Sequence, residues 1–179
     1  MTEIAAAFAQ AEREQGLRAV LLRGEGSGFC AGIDVTGFMQ ANEYFGDGWR
    51  DNLFPLTAAY QAVTHQIERC SLPVIALLHG YCLGLGCEIA LACDFRLAAE
   101  NTRIGLPETK LGIIPDVGGT TRLTRLIGPA RAKEYIMTGR DFDLANAERW
   151  GLVNAVVGPD QLLQRGEALA TELSAAAPL

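Results

Sequence analysis

Three acidic residues stand where the surrounding sequence gives a carboxylate chemical work to do. Glu88 lies in HGYCLGLGCEIALACD, where an apolar strand runs through glycines into a helix whose first turn carries it. Gly84 and Gly86 let the backbone come close to a ligand, and the helix start supplies unpaired N–H groups with positive dipole character. Such a site suits a negative charge that develops during a reaction. Glu108 follows in IGLPETKLGIIPDVGGTTRL, on an apolar and prolyl loop between Pro107 and Lys110. A carboxylate there has few solvation partners from its neighbours, the setting that raises its pKa. Asp116 comes after Pro115 and just ahead of Gly118, Gly119 and Thr120.

Each acidic residue also has a plainer reading. Acidic side chains are common in a first helical turn because they complement the dipole, and a Glu in a turn is commonly solvated. Asp116 is well placed to cap the helix that Gly-Gly-Thr-Thr begins. Rival motifs fail on particular residues. Gly84-Leu85-Gly86 starts like the dinucleotide fingerprint G-x-G-x-x-G, but Ile89 stands where the third glycine belongs. No Gly-Lys-Ser or Gly-Lys-Thr completes a phosphate loop. Cys30, Cys70, Cys82, Cys87 and Cys93 contain no C-x-x-C pair, and His65 and His79 add no ligand cluster, so no metal site is expected. Free thiols in a reducing compartment are the simpler account.

The elements that must hold these residues follow from periodicity and punctuation. A helix over residues 2–15 carries Ile4, Phe8 and Ala11 on one stripe and stops at Gly16. RAVLLRG (residues 18–24) reads as a strand covered on both faces. Residues 25–48, rich in Gly, Asp and Asn, read as loop with a short turn or helix near residues 35–41. An amphipathic helix over residues 55–70 precedes the strand PVIALLHG (residues 73–80). Residues 81–86 are expected to form a glycine turn, followed by a helix over 87–93 and a strand over 95–98. An alanine-rich helical segment covers 159–179. Helix, strand, glycine loop and helix in that order argue for an α/β fold with parallel strands and crossover helices. No internal sequence repeat, linker or low-complexity tract is evident.

Composition bounds the possible partners. The chain has 179 residues, 49% hydrophobic and 20% charged, enough for one sizeable core and against disorder. Its net charge of -6 and pI near 4.9 give no broad basic face for nucleic acid. An anionic small molecule remains compatible, because a few local cations and helix N-termini suffice for a phosphate. The opening MTEIAAAFAQAEREQGL lacks the features of a signal peptide, and no run reaches membrane-span length. The protein reads as soluble and cytoplasmic.

Four segments resemble the crotonase (enoyl-CoA hydratase/isomerase) family in order and spacing. They are FCAGIDV (residues 29–35), GYCLGLGCEIALACD (80–94), IGLPETKLGIIPDVGGTTRL (104–123) and MTGRDFDLANAERWGLVNAVV (137–157). The resemblance implies the crotonase-like spiral of repeated ββα units. It also implies an acyl-CoA thioester as substrate, coenzyme A serving as its handle with no separate cofactor. The oxyanion hole of the family, two backbone N–H groups, falls on Ala31 and Leu85. Leu85 replaces a glycine that many members carry, yet an amide donor needs only a backbone N–H. Cys30, Ala31, Gly32, Ile33, Asp34, Leu83, Gly84, Leu85, Pro107 and Glu108 fall on substrate-binding positions.

In family hydratases the paired carboxylates correspond to Glu88, which orients and polarises water, and Glu108, which protonates the α-carbon. Many hydratases have a small residue at the place of Asp116, whereas dienoyl-CoA isomerases resemble this chain in pairing Glu108 with an Asp eight positions on. Retention of Glu88 makes hydratase the first expectation and dienoyl-CoA isomerase the alternative. A non-catalytic acyl-CoA-binding or oligomer component is the third. Against the family, residues 1–179 read as one core domain shortened at both ends, without an initial strand and without the terminal helices that cover the acyl pocket. A homotrimer or a dimer of trimers is the assembly implied by the resemblance.

Overall fold

The computed structural model describes residues 1–34 and 53–176. After helix α1 (Thr2–Ala11) come strand β1 (Val20–Arg23), helix α2 (Leu53–Glu68), strands β2 (Val74–Leu78) and β3 (Tyr81–Leu83), helix α3 (Leu85–Ala92), and strands β4 (Phe95–Ala99) and β5 (Arg103–Gly105). A 3-10 turn (Glu108–Leu111) leads into helices α4 (Gly119–Ile127), α5 (Pro129–Thr138) and α6 (Leu144–Arg149), then strand β6 (Ala155–Val157). A second 3-10 turn (Pro159–Gln161) and helix α7 (Leu162–Ala175) follow.

The strands divide into two parallel sheets, one in the order β1-β2-β4-β6 and one made of β3 and β5. Each consecutive strand pair sends its first member to the large sheet and its second to the small one, and a helix returns the chain: β2-β3-α3, then β4-β5-α4. This is a spiral of ββα units, with the parallel sheet and crossover helices expected from the sequence. The repeat is geometric and leaves no periodic trace in residue identity.

Burial explains the strand composition. All five residues of β2 are buried, as a parallel strand with elements on both faces requires. One face of the large sheet joins α3, Phe8 of α1 and Ile67 of α2 in the main core. The other face, through Ile75, Leu77 and Leu97, packs against α7. Gly166 makes that approach possible, since a Cβ there would lie 2.7 Å from Leu77 Cδ2.

Several boundaries differ from the sequence reading for local reasons. Residues 81–83 form β3, not part of a glycine turn, because Tyr81, Cys82 and Leu83 pair with Arg103, Ile104 and Gly105. Helix α3 accordingly starts at Leu85, and α1 ends at Ala11. Strand β1 is only partly buried, consistent with its place at the end of the sheet order. The turn or helix expected near residues 35–41 lies outside the described residues. No described helix is long and apolar enough to cross a membrane.

Candidate active site

Glu88 is held in the interior by the helix that carries it. Every residue of α3 is buried, and Glu88 retains 2% exposure. Gly84, at φ 54°, turns the chain from β3 into that helix, a conformation that favours glycine. The Glu88 Oε1 atom accepts hydrogen bonds from the Val117 and Gly119 amides, each at 2.8 Å. These amides belong to the start of α4, so the carboxylate meets the positive end of a second helix. Burial nevertheless dominates and pushes the Glu88 carboxyl up to about 7, with the Gly119 amide opposing and the Glu108 charge adding to the rise.

Glu108 opens the 3-10 turn after β5 and is 8% exposed. The turn is tied down by the Thr109 hydroxyl, which donates to the Ile136 carbonyl at 2.9 Å. Glu108 Oε2 is buried without a hydrogen-bond partner among the described residues. Its Oε1 lies against Gly84, where an added Cβ would stand 3.2 Å away. Burial, above all, raises the Glu108 carboxyl, its own backbone amide lowers it, and the Asp116 charge raises it further. The bare glycine at 84 leaves this carboxyl next to the start of α3.

Residues 29–32 are laced to the same place by a bridge. Cys30 pairs in parallel with Cys82, its amide donating to the Tyr81 carbonyl at 2.8 Å and its carbonyl accepting from Leu83 at 3.0 Å. Gly86 fits directly over Cys30, since a Cβ would lie 2.4 Å from the Cys30 carbonyl oxygen. Gly32, at φ 100°, passes Leu83 and Leu85, its notional Cβ 3.0 Å from the Leu83 oxygen and 3.5 Å from the Leu85 nitrogen. Ala31, Ile33 and Asp34 are exposed, while Gly84 and Leu85 are buried. Among the described residues no backbone carbonyl accepts the Ala31 or Leu85 N–H.

Asp116 does not cap α4. Gly118 is the N-cap residue of that helix and no side chain caps it. Asp116 is exposed and its Oδ2 instead accepts from the Thr57 hydroxyl at 2.9 Å, while its carbonyl accepts from Gln61 Nε2 at 2.6 Å. It borders a cleft of about 710 Å³ with Gln61, His65, Arg69 and Arg125, a cleft that neither Glu88 nor Glu108 lines. The acidic residue at the start of α4 is Glu88, brought from another helix.

Sequence reasoning missed Thr57, Gln61, Thr64 and Arg122. Arg122, 5% exposed, donates to the Glu68 carboxylate at 2.8 Å and to the Val117 carbonyl at 3.1 Å, which Thr64 also reaches at 3.1 Å. In the sequence they are polar residues on amphipathic helices, and no local signal marks them. No His, Cys, Asp or Glu cluster among the described residues could hold a metal ion, and the five cysteines are free thiols.

Similarity to known proteins identifies the family and the fold. The sequence profile of the enoyl-CoA hydratase/isomerase family matches residues 1–179. A probable enoyl-CoA hydratase of Mycobacterium tuberculosis is 39% identical over 174 residues, which cover 97% of this chain and 64% of that protein. The mitochondrial Delta(3,5)-Delta(2,4)-dienoyl-CoA isomerase of Dictyostelium discoideum is 35% identical over 185 residues, covering 99% and 62%. Among solved structures, enoyl-CoA hydratase from Bacillus anthracis superposes with a TM-score of 0.88 at 37% identity, covering 99% of this chain and 66% of that one. The chain thus spans less than two thirds of the length of these relatives. With a family profile matched from end to end and a shared crotonase fold, this chain belongs to the enoyl-CoA hydratase/isomerase family.

Proposed function

We propose that this chain forms the proton-transfer core of an enzyme that adds water across the 2,3 double bond of a 2-enoyl-CoA thioester. The observation that carries the reading is the pair of buried carboxyls with unequal commitments. Glu88 has Oε1 pinned by two amides, and Glu108 keeps a buried oxygen with no partner. Glu88 holds the water and takes one of its protons as the hydroxyl goes to the β-carbon. Glu108 delivers a proton to the α-carbon. Negative charge passing onto the thioester oxygen is met by the Ala31 and Leu85 amides, whose surroundings leave both N–H groups without a backbone acceptor. A fixed donor of this kind is worth about 3 kcal/mol of barrier, and general acid–base catalysis about a hundred- to ten-thousand-fold.

Coenzyme A is part of the substrate in this reading, and no separate cofactor takes part. Residues 30–34, with Leu83, Gly84 and Pro107, form the wall along which the thioester lies. The family resemblance supports a homotrimer or a dimer of trimers in the cytoplasm, to be checked by light scattering and localisation. Mixing the protein with 2-enoyl-CoA substrates of graded length removes the absorbance of the conjugated thioester. No loss at any chain length overturns the proposal.

A second reading, dienoyl-CoA isomerisation, is favoured by one observation. The Asp116 charge acts on both Glu88 and Glu108, raising each. In this reading Glu108 and Asp116 shuttle a proton along a conjugated chain. A 3,5-dienoyl-CoA then gains the absorbance of a 2,4-diene, and Asp116→Asn stops that gain. If Asp116→Asn converts the diene at the full rate, Asp116 has no part in it.

A further inference from the structure

We propose that Gln61 is a positioning residue for Glu88, acting from α2 through the single peptide group that joins Asp116 to Val117. Gln61 Nε2 donates to the carbonyl of that peptide at 2.6 Å, and the N–H of the same peptide donates to Glu88 Oε1 at 2.8 Å. The two bonds share one planar amide, so they polarise each other: electron density drawn to the carbonyl oxygen strengthens the N–H as a donor. The other amide on Glu88, that of Gly119, has no such side-chain partner among the described residues. Among those residues its peptide carbonyl, at Gly118, accepts only the α4 backbone amide of Arg122.

The surroundings make Gln61 more than a surface contact. Thr57, one turn earlier on α2, holds the Asp116 side chain, and Thr64, about one turn later, holds the Val117 carbonyl together with Arg122. Three residues spaced along one stripe of α2 therefore grip residues 116 and 117 at successive polar groups. Among the described residues, only Gln61 makes a side-chain bond to a peptide whose N–H meets Glu88. The charged groups bearing on Glu88 are Glu108 and Asp116. The Arg122 guanidinium acts on the next peptide and is paired with Glu68.

This inference deepens the proposed function, and its test does not depend on turnover. Glutamate labelled with carbon-13 reports the Glu88 carboxyl by NMR, assigned by its disappearance in Glu88→Gln. In Gln61→Met the donor is lost, the Val117 amide donates less strongly, and the Glu88 titration moves upward by roughly half a unit. Gln61→Asn, which withdraws the amide by one methylene, moves it the same way and serves if the Met variant does not fold. Gln66→Met removes a comparable side-chain bond from α2, to the Ala5 carbonyl at 3.0 Å, and leaves the titration where it was.

A Glu88 titration unchanged in both Gln61 variants, or moved equally by Gln66→Met, overturns the inference whether or not the protein turns over an acyl-CoA. Where hydration is observed, kcat falls several-fold in Gln61→Met with KM held within about twofold. A change confined to KM assigns Gln61 to substrate binding and also overturns it. Absence of hydration in the unsubstituted chain counts against the proposed function alone.

Discussion

The Glu88 carboxylate and the Gly119 amide, 31 residues apart in the chain, meet at 2.8 Å, so a side chain from α3 closes the open end of α4. The same oxygen also takes the Val117 amide. Glu88 is thereby both an anchor between helices and a carboxyl whose proton binding is shifted into the neutral range.

That dual role gives a pH signature in stability. The folded carboxyl titrates near 7 against an ordinary 4.5, so its ionisation opposes folding. The cost is absent below about pH 4.5, grows through the interval, and is complete above about pH 7. Glu88→Gln retains an acceptor oxygen for both amides and removes the charge. Its unfolding midpoint in urea should match the parent at pH 4 and exceed it at pH 8, by up to roughly 3 kcal/mol. A variant less stable at pH 8 would show that anchoring outweighs burial.

Glu108 lacks the Val117 and Gly119 amides and is compensated by its own backbone amide alone. Glu108→Met replaces a buried, unpartnered oxygen by apolar atoms and should stabilise the fold at pH 8 by about 1–2 kcal/mol, fading as the parent carboxyl becomes protonated. Turnover should drop by at least roughly a hundredfold. Stability and activity moving in opposite directions is the expected outcome, read from calorimetry and the thioester absorbance.

In the proposed hydration the two carboxyls need one proton between them. The value of kcat/KM should therefore fall on the acid side, where both are protonated, and on the alkaline side, where both are ionised. A rate that is flat from roughly pH 5 to 9 contradicts the assignment.

Gly86 sets the distance between the two chain segments that carry the Ala31 and Leu85 amides. Gly86→Ala must push residues 30–32 away, because its Cβ would enter the contact distance of the Cys30 carbonyl. A stability loss of roughly 1–3 kcal/mol and a larger loss in kcat than in KM are expected. A crystal structure of the variant with residues 30–32 unmoved would remove the basis for this expectation.

How far the sequence reveals this architecture depends on the element. Strand β2 is legible because five consecutive apolar residues can only lie between two covered faces. Strands β3 and β5 are not, since three residues carry no period and their pairing is 22 positions distant, Tyr81 to Arg103. Glu88 and Glu108 are legible from the glycines and prolines around them and from the family resemblance. Capping, one of the two readings open for Asp116, is suggested by the local pattern Pro-Asp-Val-Gly-Gly but does not occur. The residue that meets the α4 start arrives from α3 instead. Gln61 is silent in sequence, for its importance rests on a peptide 55 residues away.

The parallel pairing has a consequence for how the chain acquires this structure. In the large sheet, Val20 pairs with Val74, Ile75 with Phe95, and Leu97 with Ala155, so each contact closes a long loop before any ladder bond forms. The β2–β4 closure is the shortest of these, and it encloses β3 and α3 with Glu88. Helix α3 therefore lies inside the shortest of these closures, while β1 and β6 must join across more than fifty residues each. Such distant pairings slow folding and leave strand edges open in the meantime, so recovery from denaturant should depend strongly on protein concentration.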